Sequence, residues 1–127
     1  SILGLSPIMT FGFTTFNWGS GTRKHLILFA GNISGSAAGS GYRTEGALAL
    51  SMRATTSATD YTSTSGYVFS TGKTMGGDTA VIGSQVLSEQ ADLQPNTTYY
   101  VWLFGGVDDI SNETLYDSSI TVLGLNK

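Results

Sequence analysis

The sequence predicts an all-β domain folded as an antiparallel sandwich, on the strength of three observations. Apolar and polar residues alternate over several short runs, which is the period of a β-strand with two distinct faces. No segment longer than about ten residues keeps the 3.6-residue apolar period of a helix. Clusters of Gly, Ser, Asn and Asp separate the runs, and such clusters mark turns.

Length and composition agree with one compact domain spanning residues 1–127. The chain has 17 Gly, and its charged fraction of 12% is about half the ~25% of ordinary globular proteins. Disordered chains carry more charge and fewer aromatic residues than this one, which is 11% Phe, Trp and Tyr. We therefore expect a folded domain in which Thr and the aromatic residues cover pleated sheet.

Strand signals recur from one end of the chain to the other. In the first run, Met9, Phe11 and Phe13 share one face, and in the third run Leu48 and Leu50 share another. About eight such short strands with turns between them predict a sandwich or jelly roll. Seven of them are identified as runs, namely 7–16, 25–33, 45–54, 66–71, 79–87, 97–104 and 118–125.

The segments between these runs have the composition of turns and loops. We expect turns at residues 17–22 and 72–78, a flexible loop at 35–41, and a break at 108–112. Gly83 is the candidate position for a β-bulge in the run 79–87. Residues 84–93 fit either a single helical turn or a strand that ends before Pro95.

Three strands are apolar on both faces, which one sandwich core does not explain. In residues 25–33, Leu26 and Leu28 alternate with Ile27 and Phe29. In residues 97–104, the side chains of Tyr100, Trp102 and Phe104 alternate with a second apolar set, and Ile120 and Val122 alternate with Leu123 and Leu125 near the end of the chain. An apolar face left uncovered usually marks an interface. We expect Tyr100, Trp102, Phe104, Ile120 and Val122 to contact a partner subunit; the alternative is that loops of the same chain cover them.

Several function classes have no support in the sequence. The net charge of −3 and six scattered basic residues leave no basic stripe for nucleic acid. No apolar run approaches the ~20 residues of a membrane span. His25 is the single His, there is no Cys, and no nucleophile motif occurs. We expect no enzyme activity, no cofactor and no metal site.

Aromatic and polar residues in the predicted loops are the candidates for ligand binding. Aromatic rings combined with polar groups on loops of a rigid sandwich are typical of binding sites, although Trp18 and Tyr67 also fit a role in covering the core. Asp and Asn near residue 110 have the chemistry of a turn and, less directly, of a calcium ligand set. The candidates are Trp18, Tyr42, Arg43, Tyr61, Asp108, Asp109 and Asn112.

Two blocks near the end of the chain resemble a known family. The block LQPNTTYYVWL at 93–103 and the block SITVLGL at 119–125 are similar to the tumour-necrosis-factor and complement-like jelly rolls that form trimeric heads, as in the tips of bacteriophage tail fibres and needles. The resemblance implies a jelly roll of about eight to ten strands, a homotrimer, and attachment to a glycan or protein receptor on a cell surface. It also implies a location on a virion tail fibre or another extracellular surface.

Two other functions stay open at this point. The L-x-P-x-T-x-Y pattern of the first block also resembles the fibronectin type III module, in which the Tyr, here Tyr99, points inward. Residues 45–55 lack the early-strand Trp of that module. This resemblance implies a monomeric fibronectin-like or carbohydrate-binding accessory module, and a capsid or decoration protein is the third possibility.

Overall fold

A computed structural model of the chain describes residues 7–37, 44–62, 66–77, 82–108 and 110–125. These residues form an all-β sandwich, as the sequence predicts, with seven strands instead of eight to ten. One 3₁₀ turn, Asp60–Thr62, is the sole helical segment of the described residues. The strands are β1 (Pro7–Thr14), β2 (Arg23–Ala37), β3 (Thr44–Ala54), β4 (Tyr67–Gly77), β5 (Ile82–Leu93), β6 (Thr98–Asp108) and β7 (Ile110–Gly124).

The strand order is that of a rolled hairpin. A four-stranded sheet has the order β1-β6-β3-β4 and a three-stranded sheet the order β5-β2-β7, and every neighbouring pair is antiparallel. The pairs β3–β4, β2–β5 and β1–β6 are nested, as in one long hairpin. In addition, β6 pairs with β3, and β7 pairs with β2. These two pairs wrap the long hairpin into two sheets, as in a jelly roll.

The core lies between the two sheets and consists of alternate residues of each strand. Ile27 and Phe29 of β2 and Leu50 of β3 have no exposed surface. Met9 and Phe13 of β1 pack against the same cluster, which confirms the face predicted for the first run, while Phe11 remains 37% exposed at the edge. Further members of the cluster are Leu48, Met52, Leu87, Ala91, Leu93, Tyr99, Val101 and Leu103.

Several strands are longer than the local turn signals indicate. Residues 84–93 belong to β5 and form no helical turn, because their burial alternates with the period of a strand. Pairing with β2 continues without interruption through Gly83, so the predicted bulge is absent. Residues 72–77 extend β4 along β3, and residues 35–37 extend β2 along β7. In both extensions, the backbone of the Gly-containing residues pairs with a long neighbouring strand, and this pairing outweighs their preference for a turn.

The corner between β5 and β6 is held by hydrogen bonds to a buried tyrosine and a buried threonine. Tyr99 points inward and is 3% exposed, and its hydroxyl oxygen accepts a 2.9 Å hydrogen bond from the backbone N–H of Gln94. Thr15 Oγ1 donates to the Gln94 carbonyl oxygen at 2.7 Å and accepts from the Thr97 N–H at 2.9 Å. The corner is thereby joined to the end of β1.

Removal of the Tyr99 hydroxyl tests the stability of this corner. We expect Tyr99→Phe to lower the free energy of unfolding by about 1–2 kcal/mol, because it leaves the Gln94 N–H without its acceptor in a part-buried site. Tyr100→Phe on the adjacent, half-buried position is the matched control, with an expected loss below about 0.5 kcal/mol. Urea unfolding at one protein concentration measures both; equal losses would show that the corner bond does not stabilise the fold.

Candidate binding surfaces

The predicted interface on β6 is buried inside the chain itself. Trp102 and Phe104 have no exposed surface, and Ala49 beside them is 2% exposed. These residues form a second, smaller cluster on the outer face of the four-stranded sheet, with Tyr100 packed at its side. The prediction that Trp102 and Phe104 contact a partner subunit is wrong, because neither has surface left for one. Half-buried Tyr100 stacks on Trp102 at a centroid distance of 6.3 Å.

The cover over this second cluster is the connection between β3 and β4. Trp102 Nε1 donates a 2.8 Å hydrogen bond to the carbonyl oxygen of Ala58. The Tyr61 ring meets Trp102 and Phe104 edge-on at 6.0 and 5.9 Å, and Tyr67 donates its hydroxyl proton to the Tyr61 carbonyl oxygen at 2.7 Å. Tyr61, expected in a ligand site, is therefore packed as part of this cover.

On β7, the side that faces the core is the one bearing Ile120 and Val122, which are half-buried and pack against the main core. The structure does not place them on the outward side of the strand, and their contact with a partner subunit stays a prediction. The intervening side of β7 bears Leu123, which is 49% exposed. The sequence pattern indicates two apolar sides for this strand, and the side directed away from the core is that of Leu123.

The outer face of the three-stranded sheet bears several apolar side chains that are exposed or half-buried. Leu26 pairs with Leu123 on one side and Gln90 on the other, and Leu28 lies between Thr121 and Ser88. Val86 projects from the same face of β5 and is 52% exposed, while Leu26 and Leu28 in the central strand are half-buried. We call the surface formed by Leu26, Leu28, Val86 and Leu123 the apolar face.

An ion pair lies at the end of this face where β2 begins. Lys24 and Asp92 form a cross-strand ion pair at 3.4 Å, with side chains 44% and 60% exposed. Between Lys24 and Ala30, the outward residues of the three strands are apolar, Ser, Thr or Gln. An apolar centre with charge at the rim is the anatomy of a protein interface.

The second candidate surface lies at the end of the sandwich where β2 begins, and it includes Trp18. Residues 17–22 form the predicted turn, in which Gly19 and Gly21 have positive φ angles of 102° and 80°. Trp18 Nε1 donates to the Gly21 carbonyl oxygen at 2.9 Å, and the Trp18 ring stacks on His25 at 5.8 Å. Trp18 also packs against the main core, so one side of the ring stabilises the fold.

Arg23 and Phe16 complete this surface. The guanidinium carbon of Arg23 lies 5.6 Å from the centroid of the Phe16 ring and 5.1 Å from that of Trp18. Phe16 meets Trp18 edge-on at 5.2 Å and is 64% exposed. His25 is buried, and its Nδ1–H donates to the Arg23 carbonyl oxygen at 2.9 Å. We call Phe16, Trp18, Arg23 and His25 the Trp18 cluster.

The remaining predicted ligand residues do not join Trp18. Tyr42, Arg43 and Asp109 lie outside the described residues. Asp108 ends β6 opposite Glu45, and Asn112 lies in β7 opposite Ser36; the side chains of Asp108 and Asn112 are also outside the described part. These backbone positions are at the other end of the sandwich from Trp18 and Tyr61, so the candidates form no single site.

The sequence-based prediction missed several residues of both surfaces. The sequence shows that Leu26, Leu28 and Leu123 lie on the second apolar side of their strands. It does not show whether that side or the side of β6 that contains Trp102 stays exposed in the folded chain. Phe16 and Arg23 flank the turn at 17–22, and a search for aromatic residues paired with Arg across a turn would have found them. Val86 lies where the predicted strand 79–87 overlaps residues 84–93, which fit either a helical turn or a strand, so the direction of its side chain could not be assigned.

Neither a cluster of metal-ligating side chains nor a membrane-spanning helix is found in the described part of the chain. No three His, Asp or Glu side chains of these residues cluster closely enough to hold a metal ion. No helix in this part is long and apolar enough to cross a membrane.

Comparison of the chain with protein-family models, with curated proteins and with solved structures finds no match. The two surfaces are therefore the observations from which a function can be inferred.

Proposed function

We propose that the chain is the homotrimeric head of a fibre or needle that attaches to a receptor on a cell surface, and that the trimer assembles through the apolar face. The observation that supports this proposal is the exposed outer side of the β5-β2-β7 sheet, where Leu26, Leu28, Val86 and Leu123 have no cover from the described part of the chain. The four-stranded sheet has such a cover, supplied by residues 55–62.

The energetics favour association of identical copies. Completing the burial of a half-exposed Leu or Val contributes about 1 kcal/mol at ~25 cal/mol per Å². Four such residues on each protomer, with no charge at the centre of the face to desolvate, provide several kcal/mol toward the cost of association. Copies that meet through one such face usually close into a ring, and the number three follows from the resemblance to trimeric heads.

Attachment would use the ends of the sandwich, where the loops are. A trimer displays three copies of each loop on a rigid framework, so that sites of low affinity act together on one surface. Receptor binding at the end that bears the Trp18 cluster leaves the apolar face free for assembly, because the two surfaces are on different sides of β2.

The mass of the chain in solution tests the proposal. Light scattering on the purified 13.3 kDa chain should give three times that value, about 40 kDa, at micromolar concentration, since an interface of standard size is stable there. A mass of 13.3 kDa across the accessible concentration range would contradict the trimer.

A second candidate is a monomeric fibronectin-like or carbohydrate-binding accessory module. It is favoured by the inward Tyr99 with its bond to the Gln94 N–H, since a tyrosine that closes this corner is typical of immunoglobulin-like sandwiches. The internal cover over Trp102 also fits a monomer. The same light-scattering measurement separates the two candidates.

A further inference from the structure

Arg23 is an exposed cation held in place by its neighbours. Its guanidinium lies over the rings of Phe16 and Trp18, and its carbonyl oxygen is bonded to His25. The side chain is nonetheless exposed to solvent. A guanidinium that stacks on aromatic rings keeps its N–H groups directed outward in a planar fork, and less entropy is lost when they bind an oxyanion.

Within the described residues, Arg23 has no carboxylate partner. The ion pair nearest in sequence is that of Lys24 with Asp92, on the opposite side of β2. Because the described part of the chain gives Arg23 no carboxylate and its side chain is exposed, the guanidinium can bind an external anion through two parallel hydrogen bonds.

The surroundings of Arg23 suit a sugar ring. Phe16 is 64% exposed and forms an apolar platform beside the cation. The backbone N–H of Asn96 donates to the Phe16 carbonyl oxygen at 3.1 Å, which places an exposed amide-bearing residue next to that platform. An aromatic platform contacts the C–H face of a pyranose, and amide groups bind its hydroxyls.

We infer that the Trp18 cluster is a binding site for an acidic saccharide, whose carboxylate or sulfate group pairs with Arg23 while a sugar ring rests on Phe16. This inference rests on the proposed attachment function and specifies its receptor class. The exposed guanidinium of Arg23 favours an acidic over a neutral sugar, because only a carboxylate or sulfate group forms charge-assisted, bidentate hydrogen bonds with it.

Intrinsic fluorescence provides a direct readout. The chain has two Trp residues; Trp102 is fully buried, and Trp18 is at the proposed site. The probes are a chondroitin tetrasaccharide, its carboxyl-reduced neutral form, and the 6-sulfated, carboxyl-reduced form. We expect the two acidic probes to change Trp emission saturably and the neutral probe to bind about tenfold more weakly. The arm with the lower Kd identifies carboxylate or sulfate as the preferred group.

Arg23→Gln and Lys24→Gln form a matched pair that removes one positive charge from adjacent positions on opposite sides of β2. We expect Arg23→Gln to raise the Kd for the acidic probes about tenfold, and Lys24→Gln to raise it less than about twofold. Equal effects of the two variants, equal binding of the neutral probe, or no saturable change with any probe would overturn the inference.

Light scattering on the same samples separates this inference from the proposed function. A trimer that fails to bind the probes contradicts the acidic-saccharide site alone. A monomer that binds them with the expected dependence on Arg23 contradicts trimeric assembly and leaves the site in place.

Discussion

Replacing Leu123 by Asp is expected to reduce the mass of the chain in solution from about 40 kDa to 13.3 kDa. Leu123 lies beside Leu26 on the apolar face and is 49% exposed. In a protomer alone, the new carboxylate remains in water. In the trimer it would be buried against apolar side chains without a partner, and this cost of several kcal/mol for each protomer offsets the several kcal/mol that the face contributes.

The control for this variant is Val68→Asp. Val68 is 39% exposed on β4, an edge strand of the other sheet. The Val68→Asp substitution therefore introduces the same charge at an apolar residue of comparable exposure. We expect it to leave the mass unchanged, and circular dichroism should show a β-spectrum for both variants. A Leu123→Asp chain that remains at 40 kDa would exclude the apolar face as the interface.

Trp102→Ala is expected to lower the free energy of unfolding by about 3–5 kcal/mol. Trp102 is fully buried between the four-stranded sheet and residues 55–62, and its Nε1–H bonds to Ala58. Truncation opens a cavity, removes the ring contacts with Tyr61 and Tyr67, and leaves the Ala58 carbonyl oxygen without its donor. A loss of this size is a large part of the total stability of ~5–15 kcal/mol of an ordinary domain.

Trp18→Ala provides the comparison with the same side chain in a half-exposed site. Its expected loss is about 1–2 kcal/mol, because the residue is only half-buried and the hydrogen bond to Gly21 is exposed. Urea unfolding at a fixed protomer concentration measures both, since unfolding of an oligomer depends on concentration. Equal losses would mean that residues 55–62 do not form a stable cover over Trp102.

The strand pattern was predictable because a half-buried strand imposes a period of two on its sequence. The core residues Leu48, Leu50 and Tyr99 could be assigned to their inward faces in this way, and the turn at 17–22 followed from its composition. Strand length was not predictable for β4 and β5. Gly and polar residues are weak formers of isolated strands, and only the presence of a long neighbour determines whether they pair.

The sequence by itself determined that β2, β6 and β7 are apolar on both sides and that something must cover the second side. Only the tertiary structure decided what that cover is. On β6 it is the connection that places Ala58 and Tyr61 over Trp102, whereas the described residues of β2 and β7 have no such cover. The physical reason is that apolar alternation along a strand indicates which side chains are removed from water, whereas the path of a distant loop depends on the packing of the whole chain.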